Sequence, residues 1–299
     1  MAAEDPGLAS VAAALSDRIG AKLQPQPARR VTGGSINECY RWDSAAGPVF
    51  VKVGTAASHT MFAAEAAGLE ELREANAVRI PQVRALGANG THAWLALEWI
   101  QFSATAAATA ESALGEKLAL QHRHAGLGFG WHRDNTIGRT PQLNGWSESW
   151  VAFFRERRLR YQLDLAVRNG YSRRLLPQAD ALLERLDGLF TGYRPVPSLL
   201  HGDLWGGNWA AAADGEPVIF DPAVYYGDRE ADLAMTRLFG GFGPDFYAAY
   251  EATWALDAGA RMRCDVYNLY HVLNHANLFG GGYIAQAQAI IRSLLAQLR

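Results

Sequence analysis

The sequence predicts an α+β chain in two lobes: a small β-rich one over residues 1–100 and a larger, mainly helical one over residues 101–299. Three observations predict it. Short β-branched runs bounded by turn residues cluster in the first hundred positions. Apolar residues at helical spacing dominate the second half. Between the two runs QFSATAAATAESA, small, polar and Ala-rich, which reads as a connector.

The elements follow in order. Leu8, Val11, Ala12, Leu15 and Ile19 recur at helical spacing and predict an opening amphipathic helix. A turn-rich stretch centred on Gly33 and Gly34 comes next, then GPVFVKVG, a glycine-bounded strand carrying Lys52. TMFAAEAAGLEELREAN is a helix with Glu65 on it, and RIPQVRALGANGTHAWLALEWI reads as two strands joined by an Asn89-Gly90 turn. Past the connector, WSESWVAFFRERRLRYQLDLAVRNG predicts a helix capped by Ser147 and stopped by Gly170. LLPQADALLERLDGLF is another helix, and EPVIFDPAV a short strand. In the tail, Val266, Leu269, Tyr270, Leu273 and Ala276 share one helix face, and Ala287, Ile290, Ile291, Leu294, Leu295 and Leu298 another.

Composition narrows the function class. Hydrophobic residues make up 49%, charged ones 19%, and the formal net charge is −2. No basic tract offers a phosphate-tracking surface, so no nucleic-acid partner is expected. Two cysteines, Cys39 and Cys264, are too few for a disulfide framework or a cysteine-rich zinc site. The first twenty residues lack the charged start and apolar core of a signal peptide, and no segment approaches a membrane span. A soluble, cytoplasmic protein is expected, as monomer or homodimer.

The chemistry concentrates in LLHGDLWGGNW, residues 199–209. Phosphoryl transfer from ATP needs a loop over the phosphates, a lysine on them, magnesium ligands, and a carboxylate that orients the attacking hydroxyl. In kinase-type catalytic loops that carboxylate and a metal-binding asparagine are spaced D-x-x-x-x-N, the separation of Asp203 and Asn208. Asp221, ending PVIF, stands where a magnesium carboxylate is needed. Upstream, Gly33 and Gly34 lack a Cβ and so let backbone approach phosphates. Lys52 reaches the phosphates, and Glu65 holds it as an ion pair. The strand ending LALEWI would present the backbone of Glu98, Trp99 and Ile100 to adenine. Each feature alone is common; their order is hard to explain as structural punctuation.

Four segments, GGSINECYRW, FGWHRDNTIGRTPQLNGWSESWVAFFRERRL, HGDLWGGNW and IFDPAVYYGDREADLAM, resemble the fructosamine kinase (ketosamine-3-kinase) family. The match runs from about residue 30 to the C-terminus, and residues 129–159 discriminate it from other small-molecule kinases. The resemblance implies a protein-kinase-like fold and ATP-dependent phosphorylation of the 3-hydroxyl of ketoamines, the fructosamine or ribulosamine adducts that sugars form with amines. The product is unstable, so the family is associated with deglycation. The acceptors would be small ketoamines or glycated protein lysines.

Carried over by motif, Asp203 is the catalytic base, Asn208 and Asp221 are Mg2+ ligands, and Lys52 with Glu65 positions ATP beside Gly33, Gly34 and Ser35. Ser35 stands where many relatives carry a cysteine, and Cys39 lies four residues on, so thiol control of that loop is not expected from the usual position. Gln121 replaces a usual leucine, a change read as one of packing. Trp205 is either a wall for the sugar or a core residue. The run with His132 and Asp134 is either acceptor contact or plain loop. Asp232 either recognises the acceptor amine or supports the catalytic loop. Asp228 reads as a helix cap with an arginine ion pair, and His201 as a structural support. His122 and His124, two apart, point to different helix faces and do not make a metal site. Trp131, Trp146 and Trp150 are expected in the floor of the large lobe. Two rival readings are a kinase of another hydroxylated acceptor (aminoglycoside, choline or free sugar) and a non-catalytic nucleotide-binding protein. A third, an interaction module using a tryptophan-rich surface, has composition alone behind it.

Overall fold

A computed structural model describes residues 6–31, 37–103, 107–171 and 176–298. In chain order the elements are α1 (Pro6–Ile19), β1 (Arg29–Val31), β2 (Glu38–Ser44), β3 (Gly47–Thr55), α2 (His59–Glu74), β4 (Val83–Ala88) and β5 (His92–Glu98). Then come α3 (Ala107–His122), β6 (Asn135–Ile137), β7 (Thr140–Gln142), α4 (Trp150–Phe153), a π-helical segment (Phe154–Arg160), α5 (Tyr161–Arg168) and α6 (Leu176–Glu184). Last are β8 (Ser198–Leu200), β9 (Trp209–Ala211), β10 (Pro217–Ile219), β11 (Tyr225–Gly227), α7 (Glu230–Leu238), α8 (Pro244–Thr253), α9 (Ala260–Phe279) and α10 (Tyr283–Gln297). Two compact units result: Met1–Ala110 with Ala210–Asp221, and Glu111–Trp209 with Pro222–Arg299.

The first unit is built on a five-stranded antiparallel sheet in the order β1-β2-β3-β5-β4. Period-two alternation sorts its faces. Tyr40 and Trp42, Val49, Val51 and Val53, and Trp94 and Ala96 turn to one side, where Leu8, Val11, Ala12 and Leu15 of α1 close a buried cluster. Lys52 therefore faces the other way, paired in register with Cys39 on β2 and Leu95 on β5. The β4–β5 turn closes through Asn89, whose side-chain oxygen accepts from the backbone of Thr91 and His92. Residues 210–221 join this unit from far along the chain: Phe102 bridges Ala212, Arg79 bridges Val218, and Ile100, Ala212 and Val218 form a small core with Phe220 against it.

The second unit is mainly helical. Its axis is α9, on which Val266, Tyr267, Leu269, Tyr270, Val272, Leu273 and Ala276 are all buried, and α5, α7 and α10 pack against it. On α10 the face closes through Ala287, Ile291 and Leu294, while Ile290, Leu295 and Leu298 are only partly covered.

Local expectations are corrected at four places. The Ala-rich stretch read as a connector turns helical at Ala107, where α3 begins. The cap of the long helix is Ser149, whose side chain accepts from the Ala152 N–H; Ser147 instead pairs through its backbone with Phe129. That helix carries a π-helical turn at its centre, a form concentrated at functional sites. Trp131 and Trp150 are buried as expected, but Trp146 is half exposed. Among the described residues no helix is long and apolar enough to cross a membrane.

Candidate active site

In the first unit three sequence-predicted residues meet. Lys52 Nζ lies 2.7 Å from Glu65 Oε1 and 2.8 Å from Asp221 Oδ1. The strand pleat turns the lysine inward, and Glu65 faces it from α2, the helix packed over β4 and β5. Asp221 follows β10 after one residue, with Phe220 stacked on Phe102 at 5.5 Å. Its backbone is left-handed, φ 58°, a rare state for a residue with a Cβ and one that concentrates at functional positions.

The electrostatics of this cluster follow from burial. Burial alone would push the Lys52 pKa down, but the carboxylates of Asp221 and Glu65 outweigh it and hold the ammonium well above its ordinary value. Glu65 is raised by burial, which the Lys52 charge only partly offsets. Cys39, beside them on β2, is buried, and its thiol is pushed up to about 11, chiefly by burial; a thiolate is disfavoured there.

The predicted adenine-facing segment is anchored by its side chains. Glu98 pairs with Arg79 at 3.0 Å and accepts from the Gln82 N–H at 3.3 Å. Trp99 lies under the guanidinium groups of Arg29 and Arg41, and Ile100 is buried in the small core. Gly33, Gly34 and Ser35 lie outside the described residues.

In the second unit, residues 199–209 leave β8 and wrap around two aspartates. Asp232, near the start of α7, is buried and accepts from the backbone N–H of His201 at 2.7 Å and of Gly202 at 2.8 Å. The His122 Nε2 lies 3.1 Å from the same carboxylate, and its Nδ1 is 2.8 Å from the Tyr250 hydroxyl. Of the two readings open for Asp232, the geometry is that of loop support, with the carboxylate turned inward rather than toward an acceptor. Both His122 ring nitrogens are thereby engaged. His201 is buried, accepts from the Asp203 N–H at 3.3 Å, and receives the Ala223 N–H on its carbonyl.

Glycines shape the rest of the loop. Gly202 has φ +81°, and a Cβ there would stand 2.1 Å from the Ala223 carbonyl oxygen. A Cβ on Gly207 would stand 2.4 Å from the Trp205 ring, so the indole lies on the bare backbone. Trp205 is 41% exposed, which removes the core reading and leaves a face open beside Asp203. Asn208 Nδ2 donates to the Asp203 carbonyl at 2.8 Å and lies 3.3 Å from Asp203 Oδ2, which binds the two motif residues into one turn.

The remaining candidates divide. His132 and Asp134 are exposed; Asp134 accepts from the Asn144 N–H at 2.7 Å, and the His132 ring sits edge-on to Trp131. Asp228 accepts from the Glu230 N–H as a cap, but the expected arginine pair belongs to Glu230, which binds Arg263 at 2.7 and 2.8 Å. Asp228 instead receives the hydroxyls of Tyr193 and Tyr267. Gln121 is more than a packing change: it is fully buried, and neither polar atom has a partner among the described residues. Sequence reasoning missed Arg158, Asn144 and Gln142, buried polar residues on or near the 129–159 stretch. Their one signal was polar identity inside a segment otherwise dense in aromatics.

The comparisons agree with this architecture. The family model for fructosamine kinase matches residues 8–297. A Synechocystis protein named "Probable ketoamine kinase" is 43% identical over 287 residues, 96% of each chain. The chloroplastic protein-ribulosamine 3-kinase of Arabidopsis thaliana is 42% identical over 272 residues, 90% of this chain and 82% of its own. Among solved structures, a Thermobifida fusca protein described as "putative fructosamine-3-kinase" superposes with a TM-score of 0.84 at 31% identity, covering 97% of this chain and all of its own. With a family model matched almost end to end, the chain belongs to the fructosamine kinase family.

Proposed function

We propose that the protein transfers the γ-phosphate of ATP to the 3-hydroxyl of ketoamines, either small adducts or glycated lysines on proteins. Membership of the family supports the reaction class. The observation that carries the residue roles is the buried Lys52, held between Glu65 and Asp221. A lysine kept charged and aimed by two carboxylates is the part a kinase needs on its phosphates.

Asp203 accepts a hydrogen bond from the acceptor hydroxyl and aligns it, with little covalent work required of the protein. Its loop holds still because Asp232 takes the two backbone N–H groups just ahead of it. Trp205 offers an open aromatic face next to that carboxylate, suited to the C–H face of a sugar. Asp221 and Asn208 supply oxygen donors of the type magnesium takes. The Asn208 amide nitrogen is committed to Asp203, so Oδ1 is the atom it would offer a cation. When bound, Mg-ATP supplies the phosphoryl group and the metal offsets its charge. Glu98 ends β5 and Trp99 and Ile100 follow it, where backbone groups would meet adenine.

The test is a steady-state assay over fructoselysine, ribuloselysine, glycated peptides, an aminoglycoside, choline and free sugars, with mass spectrometry locating the phosphate. Phosphorylation at the 3-hydroxyl of ketoamines is expected. Turnover of another acceptor alone would overturn the substrate class. The Asp203→Asn variant should bind ATP and lose turnover; equal activity in both proteins would remove Asp203 from the mechanism.

A further inference from the structure

A chain of buried polar side chains lies behind the loop that carries Asp203, and Arg158 anchors it. This arginine sits in the π-helical turn, fully buried. Nη1 donates to the carbonyls of Leu143 at 2.6 Å and Arg157 at 3.2 Å, and Nη2 donates to Asn144 Oδ1 at 2.7 Å. Its faces lie on the rings of Tyr225 and Phe153, 4.2 and 4.6 Å from their centroids. Among the described residues no carboxylate pairs with it and its Nε has no partner. A buried guanidinium without a counter-charge is costly, so its presence calls for a task.

The task follows from the fact that an arginine only donates. Asn144 must turn Oδ1 toward it, which commits Nδ2 to donating, to Asn135 Oδ1 at 2.8 Å and to the Arg133 carbonyl at 3.2 Å. Asn135 Oδ1 also accepts from Gln142 Nε2 at 2.8 Å, which leaves Asn135 Nδ2 to donate to the Val224 carbonyl at 2.8 Å. Gln142 Nε2 reaches the Ala223 carbonyl at 3.0 Å, and its Oε1 accepts from the Tyr270 hydroxyl at 2.7 Å. One donor-only group thus sets the direction of three amides.

One end of the chain reaches residues 133–135 and the other the loop that carries Asp203. At one end, Asn144 holds residues 133–135, since its own N–H also donates to Asp134. At the other, Ala223 donates to the His201 carbonyl, and its own carbonyl fills the space that Gly202 leaves by lacking a Cβ. The Tyr270 hydroxyl, which donates to Gln142, also feels the Asp203 charge.

We infer that Arg158 and Asn144 are positioning residues for the phosphoryl acceptor: they hold residues 133–135, where His132 and Asp134 are exposed alongside, in register with Ala223 and the loop carrying Asp203. The inference rests on the proposed function for the identity of the acceptor, a ketoamine aligned at Asp203.

Asn144→Asp is the discriminating variant. It is isosteric and still accepts from Arg158, as an ion pair, but it deletes both Nδ2 donations. The expected result is a ketoamine KM raised about tenfold, the worth of one or two hydrogen bonds, with the ATP KM nearly unchanged. Hydrogen exchange over residues 132–137 should accelerate while exchange in α9 does not. Arg158→Lys, which keeps donor-only chemistry, should recover part of the ketoamine KM lost in Arg158→Met. Unchanged ketoamine KM and local exchange in Asn144→Asp, or KM values for both substrates rising together, would overturn the inference, as would equal losses in the two Arg158 variants. Failure of the unaltered protein to phosphorylate any ketoamine would sink the proposed function instead, and exchange over residues 132–137 in Asn144→Asp would still decide whether the network holds that segment.

Discussion

Replacing Asp232 by asparagine changes one atom and should unseat the catalytic loop. The carboxylate uses Oδ2 for the His201 N–H and for His122, and Oδ1 for the Gly202 N–H. An asparagine nitrogen at either position faces a backbone donor. One charge-assisted bond is lost, worth about 1.5–3 kcal/mol, and a buried donor is left unsatisfied at about 1–3 kcal/mol more. A destabilisation of about 3–5 kcal/mol corresponds to a melting temperature lower by roughly 10 °C. Because Asp203 follows the two released amides directly, kcat should fall about a hundredfold, the scale of a 1 Å misplacement. The pH dependence carries a sign. Burial alone would raise the Asp232 pKa, but the His122 hydrogen bond, the fields of His122 and His201 and the Gly202 N–H together hold it below its ordinary 3.8. Its stabilisation is therefore fully present above pH 3.8 and fades as pH falls through the lower folded value. The gap between the two proteins in thermal melts should be widest near neutrality and narrow only in strong acid. A variant melting within about 2 °C of the parent at pH 7, with kcat within about threefold, would refute the reasoning.

Three further outcomes are expected. Lys52→Met strips the shared cation from Glu65 and Asp221; the loss should be about 3–5 kcal/mol in denaturant melts, with the ATP KM raised, and unchanged ATP binding would contradict the role. Gln121→Leu should stabilise by about 1–3 kcal/mol, since it removes a fully buried amide with no partner among the described residues; a lower melting temperature would show that the amide is satisfied by water. Asp228 is raised to about 7, chiefly by burial and next by the Glu230 charge. Between pH 3.8 and about 7 the folded state holds a proton that the unfolded state lacks, so this residue's contribution declines across that window, by something on the order of 4 kcal/mol. Asp228→Asn should flatten that part of the stability-versus-pH curve, and an unchanged slope in melts from pH 4 to 8 would count against it.

Much of the fold was legible because periodicity reports burial directly. The faces of α1 and α9 and the pleat that turns Lys52 away from Val51 and Val53 are local consequences of 3.6 and 2.0 spacing. The order Lys, Glu, Asp, Asn, Asp was legible for a different reason: few residue types suit the task proposed for each. What stayed hidden depends on partners scattered along the chain. Within RERRLR, residues 155–160, nothing in the sequence separates Arg158 from its neighbours, yet it is buried because Leu143, Asn144, Phe153 and Tyr225 converge on it. Ser147 and Ser149 are equally good caps by type, and only the pairing of Ser147 with Phe129 decides between them. Asp228 and Glu230 could both have taken Arg263, and the tyrosines on Asp228 settle which does.

The two aspartates at the start of α7 show why burial alone does not decide what a carboxylate does. Asp228 and Asp232 are four residues apart, both fully buried and both hydrogen-bonded, yet their pKa values move in opposite directions. The difference lies in the neighbouring charges as well as the donors. Asp232 receives two backbone N–H groups and a histidine nitrogen, and these favour the charged form. Asp228 receives two tyrosine hydroxyls and the Glu230 N–H, but Glu230 adds a like charge beside it that these donors do not offset. A charged Asp232 is the right anchor for the loop that carries Asp203, the proposed base, because its hold does not vary across the neutral range. Asp228, with a pKa near neutrality, serves instead in the aromatic packing of Tyr193, Tyr267 and Trp150, where the Trp150 indole donates to the Tyr267 hydroxyl at 2.9 Å and a change of charge is felt as stability. If this division is right, a pH titration should move melting temperature through Asp228 while leaving the Asp232-dependent part of kcat flat from pH 6 to 8. A kcat change that follows the Asp228 transition, and disappears in Asp228→Asn, would show that the two carboxylates are not independent.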